Sequence, residues 1–74
     1  MDEFYQQLAF ILDEPEIKPE AVLADFSEWD SLSILSVIAM LDAQYSVNIN
    51  GKELRNFKTA GELANEIVRL KAKN

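Results

Sequence analysis

The sequence contains no histidine and no cysteine, and these two absences exclude most catalytic arrangements found in small proteins. Without these residues the chain cannot form a Ser-His or Cys-His nucleophilic pair, a Cys/His metal site or a disulfide framework. A domain of 74 residues also has little room for both a core and a deep substrate cavity. We therefore expect no catalytic residue and no metal site, in a protein that is not itself an enzyme.

The sequence also lacks a long hydrophobic run and an excess of basic residues. Its longest apolar run, around Leu8 to Leu12, is far shorter than the ~20 residues of a membrane-spanning helix. The first residues include Asp2 and Glu3 instead of the basic region of a signal peptide. The formal net charge is −6, which disfavours binding to nucleic acid. We expect a cytoplasmic, monomeric protein that neither inserts into membranes nor binds nucleic acid.

The charged residues are distributed unevenly along the chain. Residues 1–30 contain nine acidic residues and one lysine, a net charge of −8, whereas residues 31–74 carry a net charge of +2. A field of this kind steers charged partners more than it determines a fold. In the second half, Lys52, Arg55 and Lys58 form a modest basic group, which we interpret as a solvated face.

The hydrophobic periodicity predicts helices and no pair of strands. The expected elements are Asp2–Asp13, Ser31–Tyr45, Lys52–Asn56, and a last helix opened by a capping box of Thr59 and Glu62. Pro15 and Pro19 are expected to end the first helix, and residues 14–29 to form a long connection that covers the core. The predicted fold is an all-α four-helix bundle, with three longer helices and a short third one, in a single domain over residues 1–74.

The second predicted helix is apolar over more of its circumference than one core contact requires. The residues that we assign to its core face are Ile34, Val37, Ile38, Leu41 and Tyr45. Further apolar residues at the edge of that face or beyond it are Leu32, Leu35, Ala39 and Met40, and the far side is completed by Ser33, Ser36, Ala43 and Gln44. In so small a domain, surplus apolar surface indicates contact with a partner or ligand.

The start of this helix carries the most informative residues, Asp30, Ser31 and Leu32. Asp30 is predicted to be the N-cap, and a serine in the first turn faces free backbone amides that suit a phosphodiester. Together with the hydrophobic positions that follow, these three residues resemble the Asp-Ser-Leu attachment motif of the acyl carrier protein family. The resemblance covers nearly the whole chain, and its further matching positions are Tyr45, Ile49, Leu54, Phe57 and Thr59.

The resemblance implies a stand-alone, non-catalytic carrier that is modified on Ser31. A separate magnesium-dependent phosphopantetheinyl transferase would attach 4′-phosphopantetheine from coenzyme A. Acyl groups would then travel as thioesters on this arm to acyl-transfer and condensing enzymes of fatty-acid or polyketide type. For Asp30 the resemblance adds a role in positioning the metal and substrate of the transferase. The expected docking residues are Leu32, Leu35, Ser36, Ala39 and Ala43.

The chain departs from the family pattern in its charges. Ser33, Ser36 and Ala43 stand where the second helix of the family often has acidic residues, and the third helix has Lys52 and Arg55 instead of acids. We therefore expect a specialised biosynthetic pathway instead of housekeeping fatty-acid synthesis.

Two alternatives stay open. The first is a peptidyl or aminoacyl carrier, although such carriers tend to have glycines before the serine, where this chain has Glu28-Trp29-Asp30. The second is a small helical interaction module that carries no prosthetic group. It would share the acidity and the apolar helix but would not be modified on Ser31.

Overall fold

The computed structural model describes residues 2–72, which form a bundle of four α-helices. The helices are α1 (Asp2–Ile11), α2 (Ser31–Tyr45), α3 (Gly51–Asn56) and α4 (Ala60–Ala72), and a short 3₁₀ helix covers Leu23–Asp25. The only β-type pairing in this part of the chain is an isolated bridge between Val22 and Thr59. None of the helices in residues 2–72 is long and apolar enough to cross a bilayer. The prediction of an all-α bundle with three longer helices and a short third one is confirmed.

Helix α1 ends two residues before the expected position, at Ile11. Asp13 adopts a left-handed conformation with φ of 57°, and the amide of Glu14 donates a 2.9 Å hydrogen bond back to the carbonyl of Ala9. Such a bond satisfies a carbonyl that the end of the helix would otherwise leave without a partner. The left-handed residue therefore ends the helix ahead of Pro15, which was expected to stop it.

One continuous hydrophobic core joins the four helices and the segments between them. The largest completely buried side chains are Phe4, Leu8, Leu12, Leu23, Val37, Leu41, Leu54, Leu63 and Ile67. The connecting segments also contribute, because Ile17, Val47 and Ile49 are buried. Apolar burial of this kind supplies most of the stability of a small domain.

The core face of α2 is rotated from the predicted one. Ile34, Val37 and Leu41 are buried as expected, but Ile38 is only half-buried. Ser33, assigned to the far side, and Met40, assigned to the edge of the core face or beyond it, are both buried. Because the helix has apolar residues around much of its circumference, its sequence allows several core-facing directions of similar hydrophobicity. The packing of the neighbouring helices selects one of them.

The connection between α1 and α2 is fixed to the start of α4 by backbone hydrogen bonds. The amide of Leu23 donates to Lys58 at 2.9 Å, and the amide of Ala60 donates to Ala21 at 3.0 Å. Leu23 is completely buried, which confirms that this segment covers the core, and Phe26 is half-buried against it. The segment that leads to α2 is thereby attached to the start of α4.

The short helix α3 is stabilised by a capping box that was not predicted. The Asn50 side chain accepts from the amide of Glu53 at 2.8 Å, and the Glu53 carboxylate accepts from the amide of Asn50 at 3.4 Å.

The predicted capping box at α4 is only half formed. The hydroxyl of Thr59 accepts from the amide of Glu62 at 3.2 Å as expected. The Glu62 carboxylate, however, accepts from the amide of Lys58 at 2.9 Å instead of the amide of Thr59. The carboxylate thus satisfies a donor one residue outside the cap.

Candidate functional site

Ser31 is the first residue of α2, and its side chain is exposed. The backbone amides of the first helical turn have no acceptor within the helix, and the helix dipole adds partial positive charge at this end. The hydroxyl therefore lies on the surface, in an environment that favours an anion attached to it.

Asp30 is the N-cap of α2, as the sequence predicted. Its backbone is extended, and its carboxylate accepts a 3.1 Å hydrogen bond from the amide of Ser33. The amide of Ile34 donates to the carbonyl of Asp30 at 2.9 Å, which begins the helical ladder. These two bonds determine where the helix begins and hence that Ser31 occupies its first turn.

Trp29 supports the site from the side of the preceding segment. Its indole is half-buried and packs against the hydrophobic core, and its amide donates to the carbonyl of Phe26 at 3.1 Å. The side chain is thus part of the packing that anchors the residues before Ser31. The sequence alone did not show whether the Trp29 side chain packs against the preceding segment or covers the serine.

Arg55 reaches Ser31 from α3, a contact that the sequence did not indicate. A terminal nitrogen of its guanidinium donates a 3.3 Å hydrogen bond to the hydroxyl oxygen of Ser31, across 24 positions in the chain. Arg55 was interpreted as part of a solvated face, and its side chain is indeed exposed. No local pattern in the sequence indicated the contact, because Ser31 and Arg55 lie 24 positions apart in the chain.

The five predicted docking residues lie together on the outside of α2. We call them the outer stripe: Leu32, Leu35, Ser36, Ala39 and Ala43, all of which are exposed. Leu32 is 76% exposed and Leu35 is 62% exposed, values that are high for leucine side chains in a folded domain. The outer stripe begins next to Ser31 and is opposite the buried face of the helix. Ser33, grouped with these positions by sequence, is buried and separate from the stripe.

An open groove of about 380 Å³ lies elsewhere, between α1 and the segment that follows it. Its apolar lining residues are Tyr5, Ala9, Phe10, Pro15 and Ile17. Ser31, Arg55 and the outer stripe are not among the residues that line it. The groove is therefore separate from the serine site.

The site offers a nucleophile without a base. Within residues 2–72, the side chain that hydrogen-bonds the Ser31 hydroxyl is the Arg55 guanidinium, which has only hydrogen-bond donors and cannot act as a base. A nucleophilic serine normally needs an adjacent general base. The arrangement can therefore accept a group that a second protein transfers to it, with that protein supplying the base. An exposed hydroxyl, the helix N-terminus and a cation together fit an attached phosphodiester.

Comparison with known protein families gives a match that covers most of the chain. Residues 5–67 match the family described as the phosphopantetheine attachment site. The matched range includes Ser31, the outer stripe and Arg55. Comparisons with curated proteins and with solved structures gave no match.

Proposed function

Since the chain belongs to the phosphopantetheine attachment-site family, whose domains bear covalently attached 4′-phosphopantetheine, we propose that it is an acyl carrier protein modified on Ser31. Domains of this family are generally non-catalytic and work with transferases and biosynthetic enzymes. We further propose that residues 1–74 act as a single carrier domain. The single continuous core of the described residues supports this.

The position of Ser31 carries the proposal. It is an exposed serine in the first turn of α2, directly after the cap, whereas the nearby Ser33 is buried and its amide is bound by Asp30. Ser31 Oγ would form the bond to the phosphorus of the arm, while the nucleotide part of coenzyme A leaves and the hydroxyl proton passes to the transferase. Asp30 holds the helix start by its cap, and we propose that it also helps to orient the metal of the transferase.

When bound, the arm supplies a terminal thiol that carries acyl groups as thioesters. The outer stripe then forms the surface on which partner enzymes dock beside the arm. Its exposed leucines offer apolar area that the fold of the chain does not use. The phosphopantetheinyl transferase and the acyl-transfer and condensing enzymes are the proposed partners.

The charges of the docking helices support a specialised pathway. Asp42 is the single acidic residue of α2, and α3 carries Lys52 and Arg55 beside Glu53. Ser36 and Ala43, at positions that are often acidic in similar carriers, are exposed and uncharged. Enzymes with basic docking patches would find few complementary charges on these helices. We propose that the partners belong to a dedicated pathway of fatty-acid or polyketide type.

The proposal is tested by intact-mass measurement after incubation with coenzyme A and a broad-specificity phosphopantetheinyl transferase. We expect the chain to gain the mass of one phosphopantetheine. Ser31→Ala should abolish the gain and leave the helical circular dichroism unchanged. The matched control Ser27→Ala also removes an exposed hydroxyl, outside the outer stripe, and should still be modified. Continued modification of Ser31→Ala would show that the attachment residue is wrong.

The cargo is tested separately, on the modified protein. Loading with acyl donors and with aminoacyl donors distinguishes an acyl carrier from a peptidyl or aminoacyl carrier. We expect acyl loading, and exclusive aminoacyl loading would overturn this part of the proposal. The family match already argues against the other alternative, an interaction module without a prosthetic group.

A further inference from the structure

The position of Arg55 beside Ser31 is determined by α3 as a whole. The helix is capped by Asn50, is anchored by the completely buried Leu54, and begins close to α2. A β-carbon placed on Gly51 would lie 3.6 Å from the Ile34 side chain, which is ordinary van der Waals contact. Since α3 packs on the first turns of α2, its exposed arginine reaches the Ser31 hydroxyl at 3.3 Å.

Arg55 has no carboxylate partner within residues 2–72. The ion pair found in this part of the chain joins Arg69 and Glu66 on α4. The hydrogen-bond partner of Arg55 is the neutral Ser31 hydroxyl, which cannot compensate its charge. A guanidinium whose described contact is with a neutral oxygen can still bind an anion placed at that oxygen.

The acidic side chains that precede Ser31 oppose the favourable effect of the helix N-terminus on a new negative charge. Asp25, Glu28 and Asp30 occupy three of the six positions before it. The Asp30 carboxylate is held next to the site, because it caps the amide of Ser33 at 3.1 Å. A phosphodiester on Ser31 would be a further anion in this acidic part of the chain. Repulsion would direct it away from the Asp30 side, and Arg55 is the cation that contacts the attachment oxygen.

We propose that Arg55 binds the phosphodiester of the arm on Ser31 and thereby orients the root of the arm toward α3. This inference rests on the proposed function. The phosphorus would be bonded directly to Ser31 Oγ, so its free oxygens would lie next to the atom that Arg55 already contacts. The planar donor fork of a guanidinium matches the oxygens of a phosphate, whereas the ammonium of lysine acts as a point charge.

Phosphorus NMR of the modified protein tests this inference, because the arm contains the one phosphorus atom of the molecule. The variant is Arg55→Gln, and the matched control is Lys52→Gln, which removes the same charge from the exposed side of α3. We expect the phosphorus resonance to move in Arg55→Gln and to stay unchanged in Lys52→Gln. Arg55→Lys should restore only part of the difference. Circular dichroism checks that each variant keeps the helical fold.

Salt provides a second readout. Raising ionic strength from about 0.01 M to 1 M shortens the Debye length from roughly 30 Å to 3 Å, which weakens an exposed ion pair. The resonances of the unaltered protein and of Lys52→Gln should therefore move toward the Arg55→Gln value, which should itself change little.

The possible failures are distinguishable. If intact mass shows that no arm is attached to the unaltered chain, the proposed function fails. If the arm is attached but Arg55→Gln leaves the phosphorus resonance unchanged, or Lys52→Gln shifts it equally, only the role of Arg55 is overturned.

Discussion

The backbone amide of Gly61 donates a 2.8 Å hydrogen bond to the carbonyl oxygen of Pro19. A β-carbon on Gly61 would lie 2.9 Å from that oxygen, closer than such atoms approach in proteins. This close contact fastens the segment that leads to Ser31 onto the start of α4. The absence of a side chain at Gly61 is therefore a requirement of the packing.

Gly61→Ala is expected to destabilise the protein. Overpacking against a backbone carbonyl costs about 1–3 kcal/mol, whereas the better helix propensity of alanine returns at most about 1 kcal/mol. The matched control is Gly51→Ala at the start of α3, where the new methyl would make an ordinary contact at 3.6 Å. Urea unfolding should show a lower midpoint for Gly61→Ala and an equal or higher one for Gly51→Ala. Equal changes in the two urea midpoints would mean that the contact with the Pro19 carbonyl does not destabilise Gly61→Ala.

Two leucines of α2 test the direction of its core face. Leu41 is completely buried and Leu35 is 62% exposed. Leu41→Ala should cost about 2–5 kcal/mol, a large share of the roughly 4–11 kcal/mol expected for a domain of this size. Leu35→Ala should change the free energy of unfolding by about 0.5 kcal/mol or less. Ile38→Ala should lie between them, because this side chain is half-buried. Reversal of the order in denaturant midpoints would contradict the described packing.

The Asn50 cap is expected to be necessary for α3. A helix of six residues is too short to be stable by itself, so the loss of its cap bears directly on its formation. Asn50→Ala should reduce the free energy of unfolding by about 0.5–2 kcal/mol, and Asn50→Ser should retain most of it, since serine also caps. Amide exchange within α3 should accelerate only in the alanine variant. Equal losses of unfolding free energy in Asn50→Ala and Asn50→Ser would show that α3 does not depend on the side-chain oxygen at position 50.

Acidic residues added to the outer stripe should improve use of the carrier by housekeeping fatty-acid enzymes. Each exposed ion pair contributes about 0.2–1 kcal/mol, so Ser36→Glu with Ala43→Glu should strengthen docking by roughly two- to thirtyfold. The measurement is the ketosynthase rate with malonyl-loaded carrier at low and high salt. The gain should be largest at low salt, where screening is weakest.

The control for this experiment adds the same charge elsewhere. Gln6→Glu with Asn65→Glu places two acids on exposed positions of α1 and α4, and should leave the rate unchanged. If the unaltered protein already performs as well as a housekeeping carrier, the proposal of a dedicated pathway is wrong. If the stripe acids have no effect, docking depends on Leu32 and Leu35 instead of charge.

The local features of the chain were predictable because their causes lie within a few residues. Helix α2 begins at Ser31 and ends at Tyr45 as predicted, since Asp30 caps the amide of Ser33 and the left-handed Ser46 closes the last turn. The early end of α1 at Ile11 and the capping box at Asn50 were missed. The first depends on the left-handed backbone of Asp13, which the hydrophobic pattern does not indicate. The second is a local pattern as well, Asn50 with Glu53 three residues later.

The sequence by itself determined the fold class, the bounds of α2 and the place of Ser31 in its first turn, because helix periodicity and capping are local interactions. Only the tertiary structure decided the direction of the core face of α2, which buries Ser33 and Met40 and leaves Ile38 half-buried. It also brought Arg55 to Ser31 across 24 positions of the chain. Neither outcome follows from a periodic pattern, because both depend on how α3 and α1 pack against a helix that is apolar on more than one side.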